Sequence, residues 1–385
     1  MNAPATGRRG TPDFLLLILT LILVGFGIVM VFSASSSMTA VLQKFGNDPL
    51  YFTRRQLMFA GAGTVMMLIL MNIRYERYKA WFAPFLLFTL VLLVGVLFTK
   101  EINGARSWIV LGPFSIQPTE FAKIALILYL AAIISKKQEK FREFKRGLLP
   151  ALLVSGLVAG LILLQPDPGS AAVLVATVAV ILAVGGANLK HVALTGLALA
   201  GAGGLALGFY LLLNPDFDGG FRMNRLIAFR DPFADAQGAG YQLLRSLEAF
   251  GHGGLTGTGL GNSVQKLFYL PYAYNDFIYA VIAEELGFIG SSLFILFYVF
   301  FLWRMLVVAL RCPDLFGTLV GVGMVTLVAV QALVNMGGVS GAIPITGVTL
   351  PFVSYGGSSL LSLMMGMGVL LSVSREYNRL QGKSQ

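Results

Sequence analysis

Residues 253–303 read GGLTGTGLGNSVQKLFYLPYAYNDFIYAVIAEELGFIGSSLFILFYVFFLW. The first half is polar and Gly-rich, the second is apolar at helix length, and Asp276 stands at the junction. No charged residue falls between Leu286 and Trp303, a stretch that spans ~27 Å as a helix, close to the hydrocarbon thickness of a bilayer. On one straight helix, Asp276 then lies ~15 Å further out, at or above the membrane interface.

The rest of the chain repeats the apolar half. It has 385 residues, 56% hydrophobic and only 12% charged, with a mean hydropathy of +0.79. A soluble domain carries roughly a quarter charged residues. Apolar runs near 14–34, 55–72, 80–98, 118–135, 147–164, 169–186, 190–213, 277–308, 315–337 and 350–373 predict an all-α polytopic membrane protein with about ten transmembrane helices. The first run follows Arg8 and Arg9 and precedes Ser33-Ala34-Ser35. A cleaved leader is one reading, but the run is long enough to span and a second span follows, so it is read as an uncleaved helix.

The net charge of +10 is spread in short blocks between apolar runs, as topology determinants are, and not over a nucleic-acid-binding face. Arg8, Arg9, the block Lys136–Arg146, Arg304, Arg311, Arg375 and Arg379 place both termini in the cytoplasm and the long loop 214–276 outside. The predicted organisation is a cytoplasmic tail over 1–13, one integral-membrane domain over 14–374, and a cytoplasmic tail over 375–385. Cys312 is the sole cysteine, so no internal disulfide forms.

Loop 214–276 is the exception among short connections. A connection of roughly 60 residues is either functional or disordered. This one carries Phe221, Phe229, Phe233, Tyr241, Phe250, Tyr269, Tyr272 and Tyr274, too many aromatics for disorder. Tyr241–Phe250 reads as an amphipathic helix with Leu243, Leu244 and Leu247 on one side, so the loop is expected to be a folded cap on the outer face.

Each candidate residue has a bland reading beside a chemical one. Helix capping alone accounts for an Asp at position 276, yet an exposed carboxylate facing a hydroxyl substrate is also a usable general base. Glu284 and Glu285 point away from Asp276 on a straight helix and are expected to pair with a basic residue near the boundary. Glu120 and Lys123 are i,i+3 neighbours on a span opened by Pro118: an ion pair, or, with Arg106, positive charge for a phosphate-bearing ligand. Asp167, in Gln165-Pro166-Asp167-Pro168-Gly169, suits an Asx-turn. Gly251–Gly261 lacks the Gly-Lys-Ser/Thr ending of a nucleotide loop, and no His/Cys cluster specifies zinc. Pro351–Leu360 opens the last span with small residues that permit close packing.

Taken together and in order, these motifs resemble the SEDS family (shape, elongation, division and sporulation), the FtsW/RodA/SpoVE-type peptidoglycan polymerases, over nearly the whole chain. The resemblance is carried by Gly104-Ala105-Arg106 with Trp108, Gln117–Lys123, Gln165-Pro166-Asp167, Arg225-Leu226 with Phe229-Arg230-Asp231-Pro232, Gly240-Tyr241-Gln242, Gly259–Lys266, Asp276-Phe277-Ile278 with Glu284-Glu285-Leu286-Gly287, and Pro351–Ser359. Gly259–Leu267 leans toward the cell-division branch. The resemblance implies a glycosyltransferase that polymerises lipid II outside the bacterial cytoplasmic membrane. Asp276 would be the general base that deprotonates the GlcNAc 4-hydroxyl, with inversion at the MurNAc C1 as undecaprenyl pyrophosphate leaves. It also implies substrate contacts at Arg106, Lys123, Glu120, Asp167, Arg222, Arg225, Lys266 and Ser354. Its partners would be a class B penicillin-binding protein (a transpeptidase) and other divisome or elongasome components, with no nucleic acid. No cofactor is specified; a divalent cation, Mg or Mn, is left open as an aid to the leaving pyrophosphate.

The chain departs from the family pattern before Asp276. Tyr272 and Tyr274 stand where the family usually has Glu and His, and Val110 follows Trp108-Ile109 where an Asp is common. The rival class is a lipid II flippase that moves substrate without chemistry, which a bundle with buried charges and Gly/Pro breaks also suits. A pure scaffold for the transpeptidase is a third reading.

Overall fold

The computed structural model describes residues 10–101, 105–112, 114–197, 201, 229–238 and 240–381. The principal helices are α1 (Phe14–Val41), α2 (Tyr51–Met71), α3 (Tyr75–Val96), α4 (Pro118–Lys137), α5 (Leu149–Leu164) and α6 (Pro168–Val184). After them come α7 (Tyr241–Gly253), α8 (Ile278–Leu310), α9 (Leu315–Val339) and α10 (Gly357–Gln381). A further helical stretch covers 189–197; most of the span expected over 190–213 lies outside the described residues. A two-stranded antiparallel hairpin, β1 (Ile109–Leu111) and β2 (Phe114–Ile116), precedes α4, with Val110 opposite Ser115. It is an addition to the all-α expectation.

Seven helices among the described residues are long and apolar enough to cross a membrane: α1, α3, α4, α5 together with the wider helical turn Phe144–Leu148 that leads into it (21 residues in all), α8, α9 and α10. α6 is apolar but has only 17 residues, and α2, with 21, opens on Arg54 and Arg55. Both pack into the same bundle, α2 along α10 and α6 along α9. α4, α9 and α10 form its centre, whereas α1, α3, α5 and α8 leave apolar side chains such as Phe14, Phe88, Leu153 and Leu296 exposed for lipid. The described chain ends meet: Arg375 donates to the Gly10 carbonyl (2.8 Å), and the Asp13 N–H donates to Ser374 Oγ (3.0 Å).

Local chemistry sets the helix starts. Asp13 caps α1, accepting from the Leu16 N–H at 2.9 Å, and Arg304 of α8 pairs with the same carboxylate. Pro118 and Pro168 occupy first turns, where their missing N–H costs nothing. The last helix starts at Gly357, so 350–356, expected within the final span, is not helical: turns at 351–355 follow an irregular segment at 344–350.

The largest departure from expectation is in α8, which is not straight. Gly287 sits at φ 66°, ψ −170° and splits the helix, a conformation essentially restricted to glycine. Residues 254–259 fill the break. Thr258 and Gly259 N–H groups donate to the Glu284 and Glu285 carbonyls (both 3.0 Å), while Phe288 and Ile289 donate to the Gly254 and Leu255 carbonyls (2.9 and 3.1 Å). The Gly-rich loop therefore supplies backbone partners that the broken helix lacks.

α7 turns a different face inward from the one its leucines suggest. Its buried stripe is Leu243, Ser246, Ala249 and Gly253, and Leu247 is exposed. Ser246 donates to the Val339 carbonyl at 2.7 Å, and a side chain at Gly253 would meet the Ala283 carbonyl at 2.3 Å. Close backbone approach selected the small residues over the large ones.

Candidate active site

Asp276 lies in the turns that precede α8, two residues before its first helical residue. Phe277 occupies the capping position, without a side-chain cap. The straight-helix placement of Asp276 does not hold. The residue is half-buried, on a loop fixed by its own backbone.

Asn335 of α9 donates from Nδ2 to the Asp276 carbonyl (2.8 Å) and to the Val348 carbonyl (2.7 Å). One helical turn earlier, Gln331 donates to the Thr349 carbonyl (3.3 Å). Two side-chain amides on one face of α9 thus stitch down the strap 344–350. Asp276, Asn335, Gly338, Thr346 and Val348 line a small pocket between strap and loop.

The other edge of the site is aromatic. Phe52 of α2 stacks on Tyr274 (4.3 Å) and meets Tyr355 edge-on (4.8 Å), and the Tyr355 N–H donates to the Tyr274 carbonyl (3.0 Å). Burial raises the Tyr274 phenol, reinforced by Tyr355, Tyr272 and Asp276 nearby. Tyr274 is therefore a neutral O–H and cannot act as the base that a histidine there would be. Burial also raises Tyr355, opposed by Arg55 beside it.

The other sequence-predicted residues fall into three groups. Glu120 and Lys123 form a buried ion pair (2.7 Å), and Lys123 also reaches Gln331 Oε1 at 3.4 Å, which joins the pair to the strap. Ser354 is buried and accepts from the Leu350 N–H (2.9 Å), closing the strap's end. Asp167 caps α6 through the Ser170 N–H (3.0 Å) and meets Gln117 Nε2 at 3.4 Å. A side chain at Gly169 would meet the Thr346 carbonyl at 2.9 Å, so the first turn of α6 rests on the strap. These four residues converge on the support of the Asp276 pocket.

Lys266 stands apart. It is buried against Glu285 (2.8 Å), with Ser33 Oγ at 3.1 Å, beside the α8 break. The basic partner expected for the Glu284–Glu285 pair is this lysine. Glu284 is wholly buried too, and accepts from Ser263 Oγ and the Val264 N–H (2.9 Å), with His252 Nδ1 at 2.8 Å. Arg106 is exposed, 4.0 Å from Glu101, and among the described cations of the expected set it is the one outside a buried pair. Arg222 and Arg225 lie outside the described residues.

Sequence reasoning missed Asn335, Gln331 and Arg55. The first two read as ordinary polar residues in an apolar span; their i,i+4 spacing was the available signal. Among the described residues no group of three or more His, Cys, Asp or Glu is placed to hold a metal.

The comparisons with known proteins agree with this architecture. Residues 14–379 match the family described as "Cell cycle protein", FtsW/RodA/SpoVE. The chain is 44% identical over 380 residues to stage V sporulation protein E of Bacillus subtilis, covering 97% of this chain and 100% of that protein. It is 42% identical over 372 residues to a probable peptidoglycan glycosyltransferase FtsW of Trichlorobacter lovleyi, covering 95% and 94%. Sporulation and division relatives thus match almost equally. Among solved structures, it superposes on a chain from a study of "structural coordination of polymerization and crosslinking by a peptidoglycan synthase complex" with TM-score 0.77 and 32% identity, covering 95% and 98% of the two chains. It superposes on the Thermus thermophilus rod shape determining protein RodA with TM-score 0.67 and 31% identity, covering 95% and 97%. The strap, the broken helix and the Asp276 loop are therefore features of a chain that belongs to the FtsW/RodA/SpoVE family of membrane proteins.

Proposed function

We propose that this protein is a peptidoglycan glycosyltransferase that polymerises lipid II on the outer face of the bacterial cytoplasmic membrane. Asp276 is its general base. It takes the proton from the GlcNAc 4-hydroxyl of one lipid II, and the oxygen attacks C1 of the MurNAc on the other. The bond from C1 to the pyrophosphate breaks, undecaprenyl pyrophosphate leaves, and the anomeric centre inverts. A positioned base of this kind contributes about 10²–10⁴ in rate.

The observation that carries the reading is the placement of Asp276. It is half-buried on a loop outside the long apolar helices, and its backbone is clamped by α9. Fixing a base to within a fraction of an ångström is how a site gains from orientation. Exposed Arg106, with Arg222 and Arg225, provides cations for the pyrophosphate. Lys123 and Lys266, each engaged in a buried pair, act by holding the strap and the α8 break. Among the described residues no group of carboxylates or histidines is placed to hold a divalent cation. With Asp276 outside, both termini face the cytoplasm, and a class B transpeptidase in the same membrane is the natural partner for crosslinking the new strands.

Labelled lipid II supplied to the purified chain with that partner should yield glycan strands whose new linkage is inverted relative to the pyrophosphate. A retained linkage would overturn the single-displacement role of Asp276. Lipid II crossing vesicle membranes without polymer would favour the transporter.

A further inference from the structure

We propose that Asn335 is a positioning residue for Asp276, acting through the backbone of the Asp276 loop and through an acceptor presented to the site; this rests on the polymerase reading above. Asn335 is 3% exposed, one turn before the C-terminal end of α9. Its amide orientation is fixed by its neighbours, because two carbonyls, Asp276 at 2.8 Å and Val348 at 2.7 Å, both require a donor. One side-chain nitrogen therefore ties the candidate base's own peptide to the strap beneath it.

The other end of the amide distinguishes this arrangement from a packing contact. Asn335 Oδ1 is buried and has no hydrogen-bond partner, although buried acceptors are normally satisfied. Asn335 lines the same small pocket as Asp276, whose open volume of about 10 Å³ is on the scale of one water. The surrounding surface is mostly apolar, from Phe277, Val334, Val339, Ile345 and Val348, with Thr346 adding a hydroxyl. The unsatisfied acceptor then takes its hydrogen bond from a water or a sugar hydroxyl delivered beside Asp276. Gln331, anchored to Thr349 and to Lys123, keeps the strap from following any shift of the loop.

The test uses the full chain with its transpeptidase partner and labelled lipid II. Asn335→Asp keeps the shape but removes the donor facing two carbonyls, and Asn335→Ala removes both ends of the amide. Rates are normalised to folded, monodisperse protein. The expected result is a fall in kcat of about 100-fold, the scale of a small misplacement of a catalytic group. KM for lipid II should stay within about threefold, since binding elsewhere is untouched. Amide exchange over 271–277 should quicken, while exchange in α4 and α10 is unchanged. If Asp276→Ala is inactive but both Asn335 variants retain wild-type kcat, this inference is overturned and the polymerase reading stands. If Asp276→Ala itself polymerises normally, the general-base role of Asp276 fails first, and the positioning role with it. A loss confined to KM, or one matched by uniform exchange across the bundle, also overturns the positioning role.

Discussion

Exchanging the Lys266–Glu285 pair for apolar residues separates support from substrate binding. Both side chains are buried, at 5% and 1% exposure, with the ammonium 2.8 Å from Glu285 Oε1 and Ser33 Oγ donating to the same oxygen at 2.6 Å. Removing one partner, in Lys266→Met or Glu285→Leu, leaves an uncompensated buried charge and costs about 3–5 kcal/mol. At roughly 2–4 °C per kcal/mol for a chain of a few hundred residues, the melting temperature falls by about 6–20 °C. The double variant removes both charges and is expected to recover most of that loss, less about 1 kcal/mol for the Ser33 hydroxyl left without an acceptor. Thermal unfolding in nanodiscs, run beside lipid II polymerisation normalised to folded protein, reads both quantities. The structure predicts that the double variant regains stability and activity together. A double variant that is stable yet inactive would refute the reasoning and return Lys266 to the pyrophosphate.

Three other outcomes follow from named contacts. Gly287→Ala should cost at least ~1–3 kcal/mol from backbone strain alone, and its new Cβ would lie 2.2 Å from the Gly257 nitrogen; a melting temperature within about 2 °C of wild type would contradict the α8 break. Arg106→Gln should change stability by less than about 0.5 kcal/mol because the side chain is exposed, while raising KM for lipid II; an unchanged KM would remove it from the site. Burial pushes the Cys312 thiol up to about 11, opposed by a backbone hydrogen bond from Asp314. Its thiolate is accordingly scarce at pH 7–8 and grows as pH approaches that value, so maleimide labelling should be slow in the folded chain and fast after denaturation.

The bundle was legible because apolar runs carry their own signal. The ends of α4, α5, α6 and α9 fall close to where hydropathy, Pro118, Pro168 and Asp167 place them, whereas α1 starts as expected but runs on to Val41. What the sequence left unread depends on contacts far apart in the chain. Nothing local announces that Gly287 breaks α8, because the four backbone groups it frees are satisfied by residues 254–259. The same loop lacks the ending of a nucleotide loop, and its glycines serve to let it lie close against the helix. The expected helix-cap placement of Asp276 failed because Phe277 takes that position. Glu120–Lys123 was legible as an i,i+3 pair. Its link through Gln331 to the strap was not, since that bond joins positions 208 residues apart.

The most direct measurement is lipid II polymerisation by Asp276→Asn, which keeps the side chain's volume and its loop while removing the base. The account predicts a folded, membrane-inserted protein that binds its transpeptidase partner and makes no glycan strands. Strands made at the wild-type rate by that variant would contradict it.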